Sequence, residues 1–355
     1  MYNITLRAPK EAYNRMKLSY ITPILFALCI GISGCGNNSS APIQNGTAAY
    51  VELPSGIAEI TDKDKQTSYA ESDAINITFS TTGVECNNKS VNIAGSVATI
   101  TEKGTYVISG KTENGQLLVN VSKDDDVHII LKGADITCKN SAPIYIKSAD
   151  KAIITLYEGT DNVLTDTTSF EYSDSAAKEP NATLFCKDSL TINGSGSLKI
   201  NGKFNNGIQT KDHLKILGGN IAVNCTNDAI KGKDSVTIAG GNLELTAGGD
   251  GITSSNADIE GTGYVNILAG NIVMDVSNKG INAESLVYIQ GGTCNINSTD
   301  DCINCNNEFK MDAGTLILKT KDDAIRANNS ILVNGGDINI RGCYQDYNSD
   351  NITIK

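Results

Sequence analysis

The sequence predicts an all-β chain wound as a right-handed parallel β-helix, a solenoid with rungs of about 22 residues, and three recurrences predict it. Ile208, Ile230 and Ile252 stand 22 residues apart, as do Ile281, Ile303 and Ile325, with a step of 29 between the two sets. Gly219, Gly241, Gly270, Gly292, Gly314 and Gly336 repeat the same steps. So do the apolar pairs Leu214/Ile216, Val236/Ile238, Val265/Ile267, Val287/Ile289, Phe309/Met311 and Ile331/Val333. Three markers sharing one register and one seven-residue insertion define a structural repeat, and a fixed period near 20 residues belongs to solenoids. A propeller needs a period of about 40, and a leucine-rich repeat needs a Leu and Asn pattern that is absent.

Taken from the N-terminus, residues 1–34 read as a lipoprotein signal. "MKLSYITPILFALCIGISGC" has a basic start, an apolar run and a small-residue end. Met16 makes a better initiator than Met1, and Cys35, after "ISG", is the expected lipidation site. Residues 35–72 are rich in Asn, Ser, Thr, Gln, Asp and Lys and read as a flexible tether. Residues 73–355 then form one domain. Its first half holds strand-like stretches such as "GTYVISGKTENGQLLVNV" and "DVHIILKGADITC", broken by Gly, Asn and Asp turns. The polar stretch 165–181, "TDTTSFEYSDSAAKEPN", is the longest break in the rhythm. In the second half, "SVTIAGGNLELTA" shows one rung: Val236 and Ile238 point inward, Gly240–Gly241 turn the chain, and Leu243 and Leu245 point inward again. The chain stops at Lys355 inside a strand-like stretch, so a further turn is expected to follow.

Composition narrows the function. The chain has net charge −11, and without residues 1–34 it carries 25 basic and 39 acidic residues, a net −14. Such an acid balance repels a phosphate backbone and argues against nucleic acid as a partner. Of the ten cysteines, Cys29 leaves with the signal and Cys35 carries lipid. Cys86, Cys138, Cys186, Cys225, Cys294, Cys302, Cys305 and Cys343 are expected to be mostly free thiols serving as small core residues. Cys302-x-x-Cys305 has no second pair or histidine set beside it, the only histidines being His128 and His213.

The repeat also carries chemistry. Two residues before each marker isoleucine stand Asn206, Asp228, Asp250, Lys279, Asp301 and Asp323, preceded by Asn205, Asn227, Gly249, Asn278, Asp300 and Asp322. Stacked at roughly 4.8 Å, these residues form an oxygen-rich column interrupted by one lysine. Adjacent carboxylates need neutralising, and calcium takes carboxylate, amide and backbone oxygens in irregular geometry. The expected metal ligands are Asn227, Asp228, Asp250, Asp300, Asp301, Asp322 and Asp323. The alternative is that Asp and Asn serve as turn residues that hydrogen-bond nearby backbone. Lys279 is either a fixed ammonium standing in for a metal or a contact for an acidic ligand.

Two long stretches, "EPNATLFCKDSLTINGSGSLKINGKFNNGIQTKDHLKILGGNIAVNCTNDAIKGKDSVTIAGGNLELTAGGDGI" and the upstream "SAPIYIKSADKAIITLYEGTDNVLTD", resemble the bacterial carbohydrate-binding domain-containing β-helix proteins over about residues 73–355. The resemblance implies a polysaccharide-lyase-like fold, bound calcium, and an association with cellulose and acidic plant polysaccharides such as pectin. The family's Gly-Asp-Gly-Ile phrase stands at Gly249–Ile252 and varies at Asn227–Ile230, Asp300–Ile303 and Asp322–Ile325, while Asn278-Lys279-Gly280-Ile281 departs from it.

The expected function is therefore non-catalytic binding of cellulose or a polygalacturonate-like glycan by a calcium-stabilised, extracytoplasmic cell-surface lipoprotein, attached to the membrane through its lipid. Lys279, Lys321, Arg326 and Tyr288 are the expected ligand contacts. One alternative is a calcium-dependent pectate-lyase-like enzyme, which needs a Lys or Arg base, with Lys231, Lys279, Lys321 and Arg326 as candidates. The other is a surface scaffold or adhesin without sugar specificity. No tryptophan is available for a flat sugar platform, so Tyr145, Tyr157, Tyr264 and Tyr288 are the possible substitutes.

Overall fold

The computed structural model describes residues 57–172, 176 and 178–355. The expected signal 1–34, Cys35 and the tether up to residue 56 lie outside the described residues. Among the described residues there are 31 strands and no helix. They form one sheet of 19 strands and one of 12, and all but two of the pairings are parallel. The two antiparallel hairpins open the domain, Ala74–Ser80 with Gly83–Glu85 and Val91–Ala94 with Val97–Ile100.

The 22-residue step is the pairing register. In the smaller sheet Ile208 pairs Ile230, then Ile252, Ile281, Ile303 and Ile325 in turn. In the larger sheet Leu214, Val236, Val265, Val287, Phe309 and Ile331 are successive partners. All of these side chains are buried. Every unit thus adds the same apolar residues to one continuous core, and each unit leans on its neighbours for that burial.

The glycine markers sit at a corner of the larger sheet. Strand Ser235–Ala247 bends there, and its register against Tyr264–Val276 slips between Ala239 and Asn242. Gly241 has φ 94°, and a Cβ there would lie 2.9 Å from the carbonyl oxygen of Gly219 one unit below. Only glycine adopts that turn while letting the stacked backbones approach this closely. The seven extra residues fall in the connection between Ile252–Ser254 and Tyr264–Val276, which carries the exposed Ile259.

Two expectations are corrected or refined. Residues 57–68 were read from composition as part of a flexible tether, but they lie against the larger sheet and bury Asp64 completely. Their polar side chains satisfy polar partners on the sheet face, so the low hydrophobicity did not mean freedom. The cysteines of the described residues are free: six are buried, and Cys86 and Cys343 are half-buried. Burial pushes the Cys305 thiol up to about 11, and both members of the Cys302-x-x-Cys305 pair are sealed in the core.

Candidate functional site

The oxygen column exists, but it divides into two halves of different character. In the lower half each side chain accepts the backbone N–H of its successor. Asn206 Oδ1 accepts from Asp228 N at 3.0 Å, Asp228 Oδ1 from Asp250 N at 3.1 Å, and Asp250 Oδ1 from Lys279 N at 3.0 Å. The second oxygens are also bonded. Lys231 Nζ donates to Asp228 Oδ2 at 3.1 Å, and Asn282 Nδ2 and Thr253 Oγ1 donate to Asp250 Oδ2 at 2.9 and 3.2 Å. Asn227 turns its amide to Asn206 Oδ1 at 2.8 Å. Among Asn227, Asp228 and Asp250, expected as metal ligands, both oxygens of each carboxylate are thus hydrogen-bonded within the protein, the arrangement the turn-residue reading describes.

The upper half keeps that bond, Asp301 Oδ1 accepting from Asp323 N at 3.2 Å, but it crowds carboxylates together. Asp300, Asp301 and Asp322 bring one carboxylate oxygen each to within 4.8 Å of one another. Asp301 is 1% exposed, and burial together with the charge of Asp300 pushes its pKa up to about 6. Asp323, also buried, accepts from Asn348 on Oδ2 at 2.5 Å, while its Oδ1 has no hydrogen-bond partner. Such an orphaned buried oxygen beside a crowded carboxylate set suits a hard cation with oxygen ligands. Lys279 supplies part of the balance by donating to Asp300 Oδ2 at 2.6 Å. Burial works against both charges, yet this bond outweighs it, raising the pKa of Lys279 and lowering that of Asp300. Of the residues expected to be ligands, Asp300, Asp301 and Asp322 fit a divalent cation, with Asp323 flanking them.

The expected ligand contacts disperse. Lys279 is consumed by Asp300, and Arg326 is exposed and close enough to lower the Asp300 pKa. Lys321 lines a separate shallow cleft with Lys319, Asp275 and Asn297. Tyr288 is corrected as a sugar contact. It lies on the larger sheet and is 1% exposed, its hydroxyl bonds Asp312, and Lys310 Nζ covers its ring at 4.3 Å from the centroid. No aromatic face is left for a sugar.

Sequence reasoning missed one grouping and only half-read another. A second column carries Asp212, His213 and Asp234, whose ligand atoms also lie within 4.8 Å of one another. Ser235 Oγ lies 2.8 Å from His213 Nδ1, and His213 Nε2 lies 3.5 Å from Asp212 Oδ1. The recurring Lys-Asp of "CKDSL", "TKDHL" and "GKDSV" is its signal in the sequence. The other grouping is a cleft of about 710 Å³ under the excursion 165–181. Tyr145 and Tyr172 line it with Gln116, Asn140, Lys147 and Lys187. Glu179 on its rim bridges Lys187 at 3.1 Å and Lys211 at 2.8 Å. Phe170 stacks on Phe204 with centroids 4.4 Å apart and pins the loop to the sheet. Partly open tyrosine rings among amide, carboxylate and ammonium groups form a surface that a polyhydroxylated ligand can both stack on and hydrogen-bond.

Comparison with known proteins agrees with this architecture. A relative from Acetivibrio thermocellus, described as a carbohydrate-binding domain-containing protein, is 48% identical over 124 residues, or 35% of this chain. The chain spans only 43% of the length of that relative. A solved structure, the polysaccharide lyase-like protein from C. thermocellum in its gadolinium derivative, superposes with a TM-score of 0.58 at 34% identity. That match covers 79% of this chain and all of the other. The model of the carbohydrate-binding domain-containing protein family matches residues 94–346, and the chain belongs to that family.

Proposed function

We propose that this chain is a calcium-stabilised, non-catalytic binder of plant-type polysaccharide, cellulose or an acidic pectin-like glycan, held at the cell surface by a lipid on Cys35. The observation that carries the binding half is the Tyr145/Tyr172 cleft, within the matched family region. Burial, and then Glu179, push the Tyr145 hydroxyl up to about 12, so it stays a neutral donor at any physiological pH. Lys147 gives the same cleft a cation for an acidic sugar, while Lys187 is paired with Glu179. For calcium the support is the Asp300/Asp301/Asp322 set. Calcium there would neutralise the crowded carboxylates and tie two stacked units together.

Winding as a right-handed parallel β-helix is the reading that best accommodates the pairings. Each strand pairs with its equivalent one unit away, and among the described residues no pairing joins the last strands to the first as a closed barrel requires. A lyase base must be free to take a proton, whereas Lys231 and Lys279 are engaged by Asp228 and Asp300 at 3.1 and 2.6 Å. This geometry speaks against Lys231 and Lys279 as the base and leaves Lys321 and Arg326 for the activity assay to test.

The site is tested by Tyr145→Ala combined with Tyr172→Ala. Retention of the chain in gels containing polygalacturonate or soluble cellulose derivative should weaken by about tenfold, measured below the melting temperature of the double variant because both rings also pack against the Phe170/Phe185 cluster. Unchanged retention by a folded double variant would move the glycan to another face.

A further inference from the structure

We infer that Lys151, Lys215 and Thr191 on the larger sheet form a second binding site, one for a sugar carboxylate, which Asp64 fills from within the chain. The Asp64 carboxylate is fully buried. Its Oδ1 accepts from Thr191 Oγ1 at 2.6 Å and Lys151 Nζ at 3.0 Å, and its Oδ2 accepts from Lys215 Nζ at 3.0 Å and Thr61 N at 2.8 Å. Lys215 and Thr191 are themselves buried, and Lys151 is largely so. One carboxylate faces two ammonium groups, which leaves positive charge in excess at a spot shielded from water, on an otherwise acidic protein. Two sheet-borne cations with a hydroxyl between them are a receptor for an anion of carboxylate shape.

Asp64 is not part of the repeat. It arrives on residues 57–68, "IAEITDKDKQTS", which cross the sheet with no strand pairing of their own. The segment is held by side chains: Asn193 Nδ2 donates to the carbonyls of Asp64 and Gln66 at 2.9 Å each, Tyr264 Oη accepts from Ala58 N at 2.6 Å, and Lys215 Nζ reaches Glu59 O at 2.5 Å. Ile57 and Ile60 are only half-buried and most of the other side chains are exposed, so the hold on the segment is chiefly polar, through Asp64, Asn193, Lys215 and the Lys63–Asp126 pair. A cleft of about 590 Å³ runs along its edge, between Lys65, Thr67 and Ser68 on one side and Tyr157, Asn193 and Ser195 on the other. Asn193 is at once wall of that cleft and latch of the segment.

A second observation points to a ligand on the same face. Thr237 is the register partner of Lys215, and Asn266 is the partner of Thr237. Thr237 Oγ1 and Asn266 Nδ2 are buried and have no hydrogen-bond partner. Buried unpaired polar atoms are costly, and here they continue the row that begins at Thr191 and Lys215. A chain of sugars laid up this row would place a carboxylate on the two lysines and hydroxyls on Thr237 and Asn266.

That the occupant is a sugar rests on the carbohydrate-binding reading; that it bears a carboxylate rests on Lys151, Lys215 and Asp64. The experiment measures binding of trigalacturonate and of neutral cellotriose to the full chain by calorimetry. Asp64→Asn should bind trigalacturonate at least tenfold more tightly than the unaltered chain, with cellotriose affinity unchanged. Adding Lys215→Met should erase the gain. In the unaltered chain, trigalacturonate should also speed tryptic cleavage after Lys63 and Lys65, which decides the matter even if Asp64→Asn folds poorly. Equal trigalacturonate affinity in both folded chains with unaltered cleavage would overturn the site while leaving carbohydrate binding intact. Failure of every chain to bind either sugar would overturn the carbohydrate reading, and this site with it.

Discussion

Asp301 shows how one residue registers the chemistry of its column. Its carboxyl titrates at about 6 because burial and the neighbouring Asp300 charge both disfavour the ionised form. A carboxyl raised in the folded state stabilises the fold below its unfolded pKa of about 4, and that contribution is lost as pH rises through about 6. Burial holds the His128 imidazole down to about 4, which gives the opposite trend in the same window, so the test is a difference: with chelator present, the unaltered chain should lose about 1–3 kcal/mol of stability relative to Asp301→Asn between pH 4.5 and pH 7. Calcium should restore it at pH 7 and do little at pH 4.5, where the proton holds the site. Asp301→Asn should abolish most of the calcium response. A melting temperature indifferent to chelator across this range would leave the column as turn chemistry throughout. The doubled Asp300-Asp301 and Asp322-Asp323 already set the upper half apart in the sequence from Asn227-Asp228 and Gly249-Asp250. What the sequence could not show is that Lys231, Thr253 and Asn282 reach the second oxygens of Asp228 and Asp250, because that depends on the folded spacing.

At the scale of the element, the isoleucine, glycine and apolar-pair markers were legible because stacking imposes one register on every unit. The glycine corner gives a direct check. Gly241→Ala must accommodate φ 94° and a Cβ 2.9 Å from Gly219 O, so it should cost about 1–3 kcal/mol in denaturant unfolding. Gly133→Ala, at φ 79° with no atom within 4 Å of the new Cβ, carries the conformational penalty alone and should cost clearly less. Equal losses would mean that close backbone stacking does not constrain the corner. Segment 57–68 was not legible, since its composition is that of a linker and its partners Thr191, Asn193 and Lys215 lie more than a hundred residues away. The Tyr145/Tyr172 cleft was half legible: the excursion at 165–181 stood out as a break in rhythm, but its packing through Phe170 on Phe204 did not.

At the scale of the whole molecule, parallel pairing of equivalent strands over a continuous apolar core sets like residues side by side, a framework well suited to a polymer with its own repeat. Placement outside the membrane rests on the sequence of residues 1–35 and is checked by Cys35→Ser, which should release the chain from the membrane fraction or leave its signal uncleaved; normal maturation and partitioning would remove the lipid anchor from the account. The central claim is calcium-assisted binding of an acidic polysaccharide without cleavage. A protein of net charge −11 should be repelled by a polyanion, so retention requires local cations and a bridging metal. The most direct measurement is electrophoresis of the chain through polygalacturonate, with and without calcium, while absorbance of unsaturated uronide is followed in the same mixture. Calcium-dependent retardation with no absorbing product is the predicted result; calcium-dependent product that disappears in Lys231→Ala, Lys279→Ala, Lys321→Ala or Arg326→Ala would contradict it and establish a lyase.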